Sequence, residues 1–200
     1  MTTAKTIAKC FGLLAVLGGC GGLEGSDGLG GQPGADVELG QHTSALTLMS
    51  GIRQISIGNY HSCAVSYGNA IKCFGANPYG QLGRGFASDG EGPDFVSGLS
   101  DVKQASTGYD FSCALKNSGS VACFGGNAYM QIGDGTTTQR LFATAVKTLT
   151  DVTQISSGMF HTCARRSTGG MACWGTNGSG QLGAAAAIKK SAPILGPINS

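Results

Sequence analysis

Short segments in which apolar and polar residues alternate recur along residues 51–200. Residues 152–156 (VTQIS) intersperse apolar and polar positions, which we interpret as a half-buried β-strand. Two more strands are predicted at residues 161–164 and 171–175, because the turn residues 167–170 separate them. A weaker stretch at residues 142–147 predicts a fourth strand. The pattern therefore predicts an all-β fold of many short strands and argues strongly against an all-α fold.

The pattern repeats with a period of fifty residues. A repeat of this length indicates a solenoid, a propeller or an array, and four strands per repeat is the content of one propeller blade. Ten positions are identical in all three copies: Gln54/Gln104/Gln154, Ser56/Ser106/Ser156, Gly58/Gly108/Gly158, Cys63/Cys113/Cys163, Ala64/Ala114/Ala164, Cys73/Cys123/Cys173, Gly75/Gly125/Gly175, Asn77/Asn127/Asn177, Gln81/Gln131/Gln181 and Gly83/Gly133/Gly183.

Composition supports strands that are joined by glycine turns. Glycine accounts for 35 of 200 residues, against a usual level of about 7%, while 41% hydrophobic residues are enough to bury a core. Without residues 1–19, which contain Lys5 and Lys9, the chain has 11 basic and 11 acidic side chains. Because nucleic acid binding needs concentrated Lys and Arg, we expect no nucleic acid partner.

The N-terminus resembles that of a bacterial lipoprotein. Lys5 and Lys9 precede a short apolar stretch that ends in Leu17-Gly18-Gly19-Cys20, which is similar to a lipobox. We expect residues 1–19 to be a lipoprotein signal peptide and residues 20–50 to be a lipidated Cys20 followed by a Gly-rich tether. The alternative is an ordinary secretory signal. Gly21 after the cysteine favours the outer membrane of the bacterial cell envelope.

Two segments carry a resemblance to a known family. Residues 55–65 (ISIGNYHSCAV) and 174–183 (WGTNGSGQLG) resemble the repeat of the regulator of chromosome condensation family, in the form found in secreted bacterial relatives with paired cysteines. The resemblance implies a β-propeller, here a partial one of three blades at residues 51–100, 101–150 and 151–200. Phe111 at a histidine position, Arg165 at an aliphatic position and the presence of only three repeats depart from the family pattern.

The repeated cysteines are predicted to form disulfides, because each pair is placed symmetrically about a hairpin turn. An exported protein is also in an oxidising compartment. The pairs are Cys63–Cys73, Cys113–Cys123 and Cys163–Cys173. The alternative, a metal site built from His61 or His161 with the nearby cysteine, is disfavoured because the second unit keeps its cysteines although Phe111 replaces the histidine. We expect no metal and no cofactor.

Other repeated residues are interpreted as framework. His61 and His161 are expected to hold neighbouring strands by hydrogen bonds, Trp174 to be a core aromatic residue, and the glutamines at 81, 131 and 181 to satisfy backbone groups of the Gly-rich loops. Motifs of serine hydrolases, zinc proteases and P-loop proteins do not occur, so a non-catalytic protein is predicted.

In repeat scaffolds recognition usually lies in the variable loops. We therefore expect a protein-binding scaffold that is anchored in the bilayer through acylated Cys20 and contacts an unknown envelope or surface protein. The alternative is a regulator or inhibitor of another enzyme, since the family resemblance includes a guanine-nucleotide exchange factor and a β-lactamase inhibitor; a hydrolase is a third class. Since three units are too few to close a ring, we expect that the chain either self-associates to complete a propeller or is a truncated relative of a longer protein. The candidate binding loops contain Phe86, Asp89, Glu91, Phe95, Gln139, Arg140, Lys189 and Lys190.

Overall fold

The computed structural model describes residues 49–183 and the backbone of residues 189–196. The predicted signal peptide, Cys20 and nearly all of the predicted tether lie outside the described residues. Within these residues the chain forms twelve β-strands and no helix. The strands are β1 (Ile52–Ile57), β2 (His61–Ser66), β3 (Ile71–Asn77), β4 (Ser88–Phe95), β5 (Val102–Thr107), β6 (Phe111–Lys116), β7 (Val121–Gly125), β8 (Arg140–Ala145), β9 (Val152–Ser157), β10 (His161–Arg166), β11 (Met171–Thr176) and β12 (Lys189–Gly196).

The strands form three antiparallel four-stranded sheets in which neighbours follow chain order: blade 1 (β1–β4), blade 2 (β5–β8) and blade 3 (β9–β12). The second and third strands of each blade are joined by a tight turn, in which Ser66 N donates to Ala70 O over 2.9 Å in blade 1. The turn position with positive φ is occupied by Asn69, Gly119 or Gly169, residue types that tolerate this conformation. The all-β prediction with three propeller-like units is confirmed.

The three predicted disulfides are confirmed. In each blade the two cysteines lie directly opposite each other on the second and third strands, with Cα atoms 4.1 Å apart. In the chain-entropy estimate, a bridge that closes a loop of about ten residues stabilises the fold by roughly 2–3 kcal/mol. Each central hairpin is therefore held together by its own covalent link.

The hydrophobic core lies between blades rather than within them. One cluster joins blades 1 and 2 and includes Val65, Leu82 and Phe124. The other joins blades 2 and 3 and includes Phe111 and Trp174. Trp174 is fully buried, as predicted, and its indole N–H donates to the carbonyl of the loop residue at position 131 over 2.9 Å. Blade 2 is thus covered on both faces.

A repeated glutamine joins each blade to the next. The carboxamide of Gln54 accepts from Ala105 N over 2.8 Å and donates to Ala105 O over 3.0 Å. Gln104 makes the same pair of bonds to Ile155, at 3.0 and 2.8 Å. One side chain therefore satisfies both backbone groups of a strand residue in the neighbouring blade, which explains why glutamine recurs at this phase.

We predict that Gln104→Leu lowers the free energy of unfolding by about 1–3 kcal/mol, because it leaves both backbone groups of Ile155 without their partner. The matched control is Gln154→Leu, at the same phase of blade 3, where the side chain is exposed. We expect this change to stay within about 0.5 kcal/mol. Denaturant unfolding of dilute protein measures both values, and equal effects of the two substitutions would contradict the inter-blade role.

Candidate binding surface

The segments predicted as binding loops are mostly strands. Phe86 and Gln139 lie outside strands, but Asp89, Glu91 and Phe95 lie in β4, Arg140 begins β8, and Lys189 and Lys190 begin β12. These six residues were predicted to lie in loops, and that prediction was wrong. They lie in the fourth or outer strand of a blade, which is held by its backbone, so that its side chains did not indicate a strand. Glu91, Arg140 and Lys190 each pair with the repeated glycine of the third strand, at 75, 125 and 175, and this pairing requires no repeated side-chain pattern.

Several charged residues of these segments are bound within their own blade. Arg140 Nε donates to Asp134 Oδ2 over 2.6 Å. Burial opposes ionisation of Asp134, but hydrogen bonds from Thr136 and Arg140 together hold its pKa below the usual value. Glu91 lies 3.7 Å from the Arg84 guanidinium. Arg140 and Glu91 therefore support their blades, which makes them poor candidates for primary contacts with a partner.

A different set of side chains forms an exposed patch at one end of the blades, here called the aromatic surface. Tyr60 and Tyr109 lie with ring centroids 5.6 Å apart, Tyr109 and Phe160 5.3 Å apart, and Phe160 and Tyr129 4.8 Å apart. Tyr60 is 62% exposed. Exposed aromatic clusters of this kind are typical of protein-binding sites, where Tyr supplies apolar area together with a hydroxyl. The aromatic surface consists of Tyr60, Tyr79, Tyr109, Tyr129, Met159 and Phe160.

Topology places these residues together. Tyr60, Tyr109 and Phe160 belong to the turns between the first and second strands, and Tyr79 and Tyr129 belong to the loops after the third strands. Because neighbouring strands are antiparallel, these turns and loops lie at the same end of every blade. The turns of blades 2 and 3 are also bonded directly, since Tyr109 N donates to Met159 O over 3.0 Å.

A repeated glycine allows the aromatic turn to approach the third strand. Gly75 has a φ of 108°, and an added Cβ would lie 2.5 Å from the carbonyl oxygen of Tyr60. The same oxygen accepts from Ala76 N over 2.8 Å, which fixes the turn against the strand. The glycines at positions 125 and 175 have equivalent geometry in the other two blades. Substitution there would displace the turns that carry the surface.

Repeated asparagine and glutamine side chains order the loops that carry the tyrosines. Gln81 Oε1 accepts from Tyr79 N over 2.9 Å, and Gln131 Oε1 accepts from Tyr129 N over 2.8 Å. The asparagine at the start of each loop, at positions 77, 127 and 177, accepts a backbone hydrogen bond from the residue five positions later. The predicted loop-ordering role of the glutamines is confirmed, and the aromatic surface is held in place by it.

The polar groups beneath the aromatic surface are perturbed by their surroundings. Burial raises the pKa of Asp110, although Gln131 Nε2 donates to its Oδ1 over 3.0 Å and opposes the shift. The hydrogen bond with the Tyr60 hydroxyl raises the pKa of Tyr109. The Tyr109 hydroxyl therefore remains protonated at neutral pH and can donate or accept.

The composition of the aromatic surface was not foreseen from the sequence. Its residues lie beside the repeated glycines, in positions that were interpreted only as turns. A sequence signal does exist, because aromatic residues recur at the same phase at 60 and 160, and again at 79 and 129. Neither packing nor hairpin geometry requires an aromatic residue in a turn. Aromatic residues that recur in turns were therefore the signal that could have indicated a binding surface.

His61 has the framework role predicted for it. Its Nε2 lies 2.8 Å from the Ser112 hydroxyl of blade 2, and that hydroxyl donates to the carbonyl of the loop residue at position 81. The ring is buried, which lowers its pKa from 6.5 to about 4, with a backbone hydrogen bond to Phe111 offsetting part of the effect. His161 is only half-buried, and burial lowers its pKa too. Neither ring belongs to a group of three metal-ligating side chains among the described residues.

Three four-stranded antiparallel sheets in chain order, joined by repeated contacts between their faces, define a protein of the β-propeller class. Two family models, both described as the regulator of chromosome condensation (RCC1) repeat, match the chain. The first matches residues 52–81, 102–131 and 152–181, and the second matches residues 73–115. Since these matches together cover more than half of the sequence, the chain belongs to the regulator of chromosome condensation repeat family.

Solved structures of this fold are similar to the chain. Prp20p of Saccharomyces cerevisiae, whose structure is described with its binding to Gsp1p and histones, has a TM-score of 0.66 at 18% identity over 72% of this chain and 38% of that chain. Human WBSCR16 has a TM-score of 0.65 at 21% identity over 74% of this chain and 39% of that chain. Yeast RCC1 (Prp20) bound to Kap60 has a TM-score of 0.64 at 18% identity, over 72% and 37%.

These likenesses establish the fold, and the chain spans about two fifths of the length of each protein. No curated protein sequence matches the chain. Among the described residues, none forms a helix with the length and apolar character needed to cross a bilayer.

We predict that His61→Phe makes stability less sensitive to acid. The folded-state pKa of His61, about 4, lies below the unfolded value of 6.5, so the unfolded state binds more protons and stability falls as the pH drops from 6.5 to 4. The loss amounts to about 3 kcal/mol, and phenylalanine, already accommodated at position 111, removes it. Urea unfolding between pH 7 and 4 measures the difference in the free energy of unfolding between wild type and His61→Phe. The contributions of His161 and the carboxylates are the same in both proteins and cancel in this difference. A difference that does not change with pH would contradict the assignment.

Proposed function

We propose that the chain is a non-catalytic, membrane-anchored lipoprotein of the bacterial envelope that binds another protein through the aromatic surface. The observation that carries this proposal is an exposed cluster of tyrosines, Phe160 and Met159, assembled from all three blades. A cluster of this kind has no role in the inter-blade core, which lies elsewhere.

The rigidity of the surface favours binding. Interfaces derive much of their affinity from a few tyrosine, tryptophan and arginine residues, and affinity is lost when such residues must be ordered on binding. Here the backbones that carry Tyr79 and Tyr129 are fixed by glutamine side chains, and the turn that carries Tyr60 is fixed against β3. The backbone of these turns and loops is therefore already ordered in the folded chain, and binding requires little further loss of backbone entropy.

The comparisons support a protein as the binding partner. Prp20p is described with its binding to Gsp1p and histones, and yeast RCC1 (Prp20) is bound to Kap60, so the propellers similar to this chain contact proteins. Since the mature chain is neutral by side-chain count, long-range electrostatic steering would be weak and affinity would come from close contacts.

The proposed anchor determines where such binding occurs. Acylated Cys20 would hold the chain in the outer membrane, and residues 21–50 would act as the tether. A flexible tether of this length has an end-to-end distance of about 30 Å. The aromatic surface would then sample a shell close to the membrane, where envelope proteins present their exposed domains.

A second candidate function is the regulation or inhibition of an enzyme. The same observation favours it, because a rigid aromatic patch is also what an enzyme-inhibiting surface uses to fill a cleft. The identity of the captured protein separates the two candidates: an enzyme whose activity falls when the chain binds indicates a regulator, and a structural envelope protein indicates a scaffold.

We predict that the double substitution Tyr60→Ala and Tyr109→Ala reduces capture of the partner by at least about tenfold, because two adjacent aromatic contacts are removed. The measurement is quantitative mass spectrometry after in-cell crosslinking and recovery of the tagged chain. Tyr67→Ala is the matched control, since Tyr67 is 75% exposed and lies in the turn between β2 and β3, at the opposite end of blade 1. Equal capture by wild type and the double variant, with unchanged unfolding midpoints, would exclude the aromatic surface.

We predict that Cys20→Ser abolishes incorporation of a labelled fatty acid and releases the chain from the membrane fraction, because the thiol is the acylation site. Cys10→Ser is the control, because Cys10 lies in the predicted signal peptide and should not affect either readout. Both variants keep the six disulfide cysteines. Lipid labelling of Cys20→Ser at the wild-type level would refute the proposed anchor.

A further inference from the structure

Two interfaces within the chain use the same contacts in the same direction. Besides the glutamine pair described above, Ser56 Oγ accepts from Thr107 N over 3.0 Å, and Ser106 Oγ accepts from Ser157 N over 2.8 Å. Each blade thus has an outgoing set on its first strand, a glutamine and a serine two residues later. Each following blade has an incoming set, the backbone N–H groups of the equivalent first strand.

The outgoing set of blade 3 meets no following blade among the described residues. Gln154 and Ser156 occupy the positions of Gln54 and Ser56, both are exposed, and neither side chain hydrogen-bonds to any of the described residues. They line a groove of about 310 Å³ together with Cys163, Arg165 and Met171 of the second and third strands. In blades 1 and 2 the side chains equivalent to Cys163 and Met171 are buried between blades.

The incoming set is present on blade 1. Ile55 and Ile57 occupy the positions of Ala105 and Thr107, whose N–H groups receive Gln54 and Ser56. Their side chains are 66% and 73% exposed, although their blade 2 equivalents are buried. A groove of about 290 Å³ on this face is lined by both isoleucines and by Met49, Ser62 and Phe74. No described residue covers this apolar face or pairs with the outer edge of β1, and such a face favours association.

We propose that the chain self-associates head to tail, with the outgoing face of blade 3 in one copy packed on the incoming face of blade 1 in another. A second copy fits because it presents the backbone spacing that the glutamine and serine pair already recognises twice within the chain. The contact is heterologous, so it generates a closed ring or an open filament rather than a two-fold dimer. It lies on blade faces and is independent of the aromatic surface, which lies at the blade ends.

The experiment uses the mature chain with Cys20→Ser, so that lipid does not drive assembly, and measures its mass by light scattering over a range of concentrations. Ile57→Asp blocks the incoming face and Ser156→Glu blocks the outgoing face. Both positions are exposed and tolerate a charge in the monomer. The full chain has a mass of 20.1 kDa, and the mature chain lacks the signal peptide. We expect wild type to reach at least twice the mass of the mature chain. Each variant should raise the dissociation constant by at least about tenfold.

An equimolar mixture of the two blocked variants provides the decisive measurement. Each variant retains one intact face, and the second contact would bring two negative charges together, so the mixture should form a dimer and nothing larger. Tyr67→Asp, which adds the same charge at a remote exposed position, should assemble like wild type. Gln154→Leu, which adds no charge, should weaken assembly without altering the unfolding midpoint.

Three results would overturn the proposal. The first is a wild-type chain that remains monomeric at every concentration, as it would if another segment of the same chain covered these faces. The second is assembly of the blocked variants at wild-type affinity. The third is a mixture that stays monomeric although wild type assembles, which would place the contact on a different surface.

Discussion

A four-stranded sheet has two faces, and a blade of this size cannot bury either one by itself; the rest of the structure depends on this constraint. Blade 2 satisfies it on both sides, so every residue of β6 and β7 except Lys116 is buried. Among the described residues, blades 1 and 3 satisfy it on one side only. The inter-blade contacts therefore bury the apolar surface that a closed core buries in an ordinary domain. Each added blade gains stability mainly from its neighbour.

The disulfides complement this arrangement because they act within a blade. Each joins the second and third strands, which are the central hairpin, and none crosses from one blade to another. These disulfides hold the central hairpin together whether or not a neighbouring blade covers the faces of the sheet. This explains how Phe111 can replace the histidine of blade 1 without loss of the cysteine pair: the bridge and the inter-blade contact are separate sources of stability.

Much of the fold could be predicted because its determinants are local or repeated. The period, the cysteine pairs and the turn residues predicted the blades, the disulfides and the role of the loop glutamines at 81, 131 and 181. The inter-blade role of Gln54 and Gln104 was not predicted. The outer, fourth strand was predicted only in blade 2, at residues 142–147 against the observed Arg140–Ala145. Those of blades 1 and 3 were not located, since the outer strands are held by backbone pairing across bulges at Gly75 and its equivalents, and their side chains vary. The aromatic surface was missed for another reason: it is assembled across blades, and no single repeat contains enough of it to be recognised.

The same geometry separates the two surfaces that the chain can use. Repeated positions on the strands face the neighbouring blade, so their chemistry is fixed by the need to match the next repeat. Positions in the turns beside the repeated glycines lie at the blade ends, where the side chains of Tyr60, Tyr109 and Phe160 meet outside the repeated glutamine and serine contacts. If copies join through blade faces, the aromatic surfaces of successive copies align on the same end of the assembly, because the proposed contact repeats the blade-to-blade geometry found within the chain. Such an array would present the aromatic patch several times, and the gain in avidity would depend on spacing rather than on any new contact.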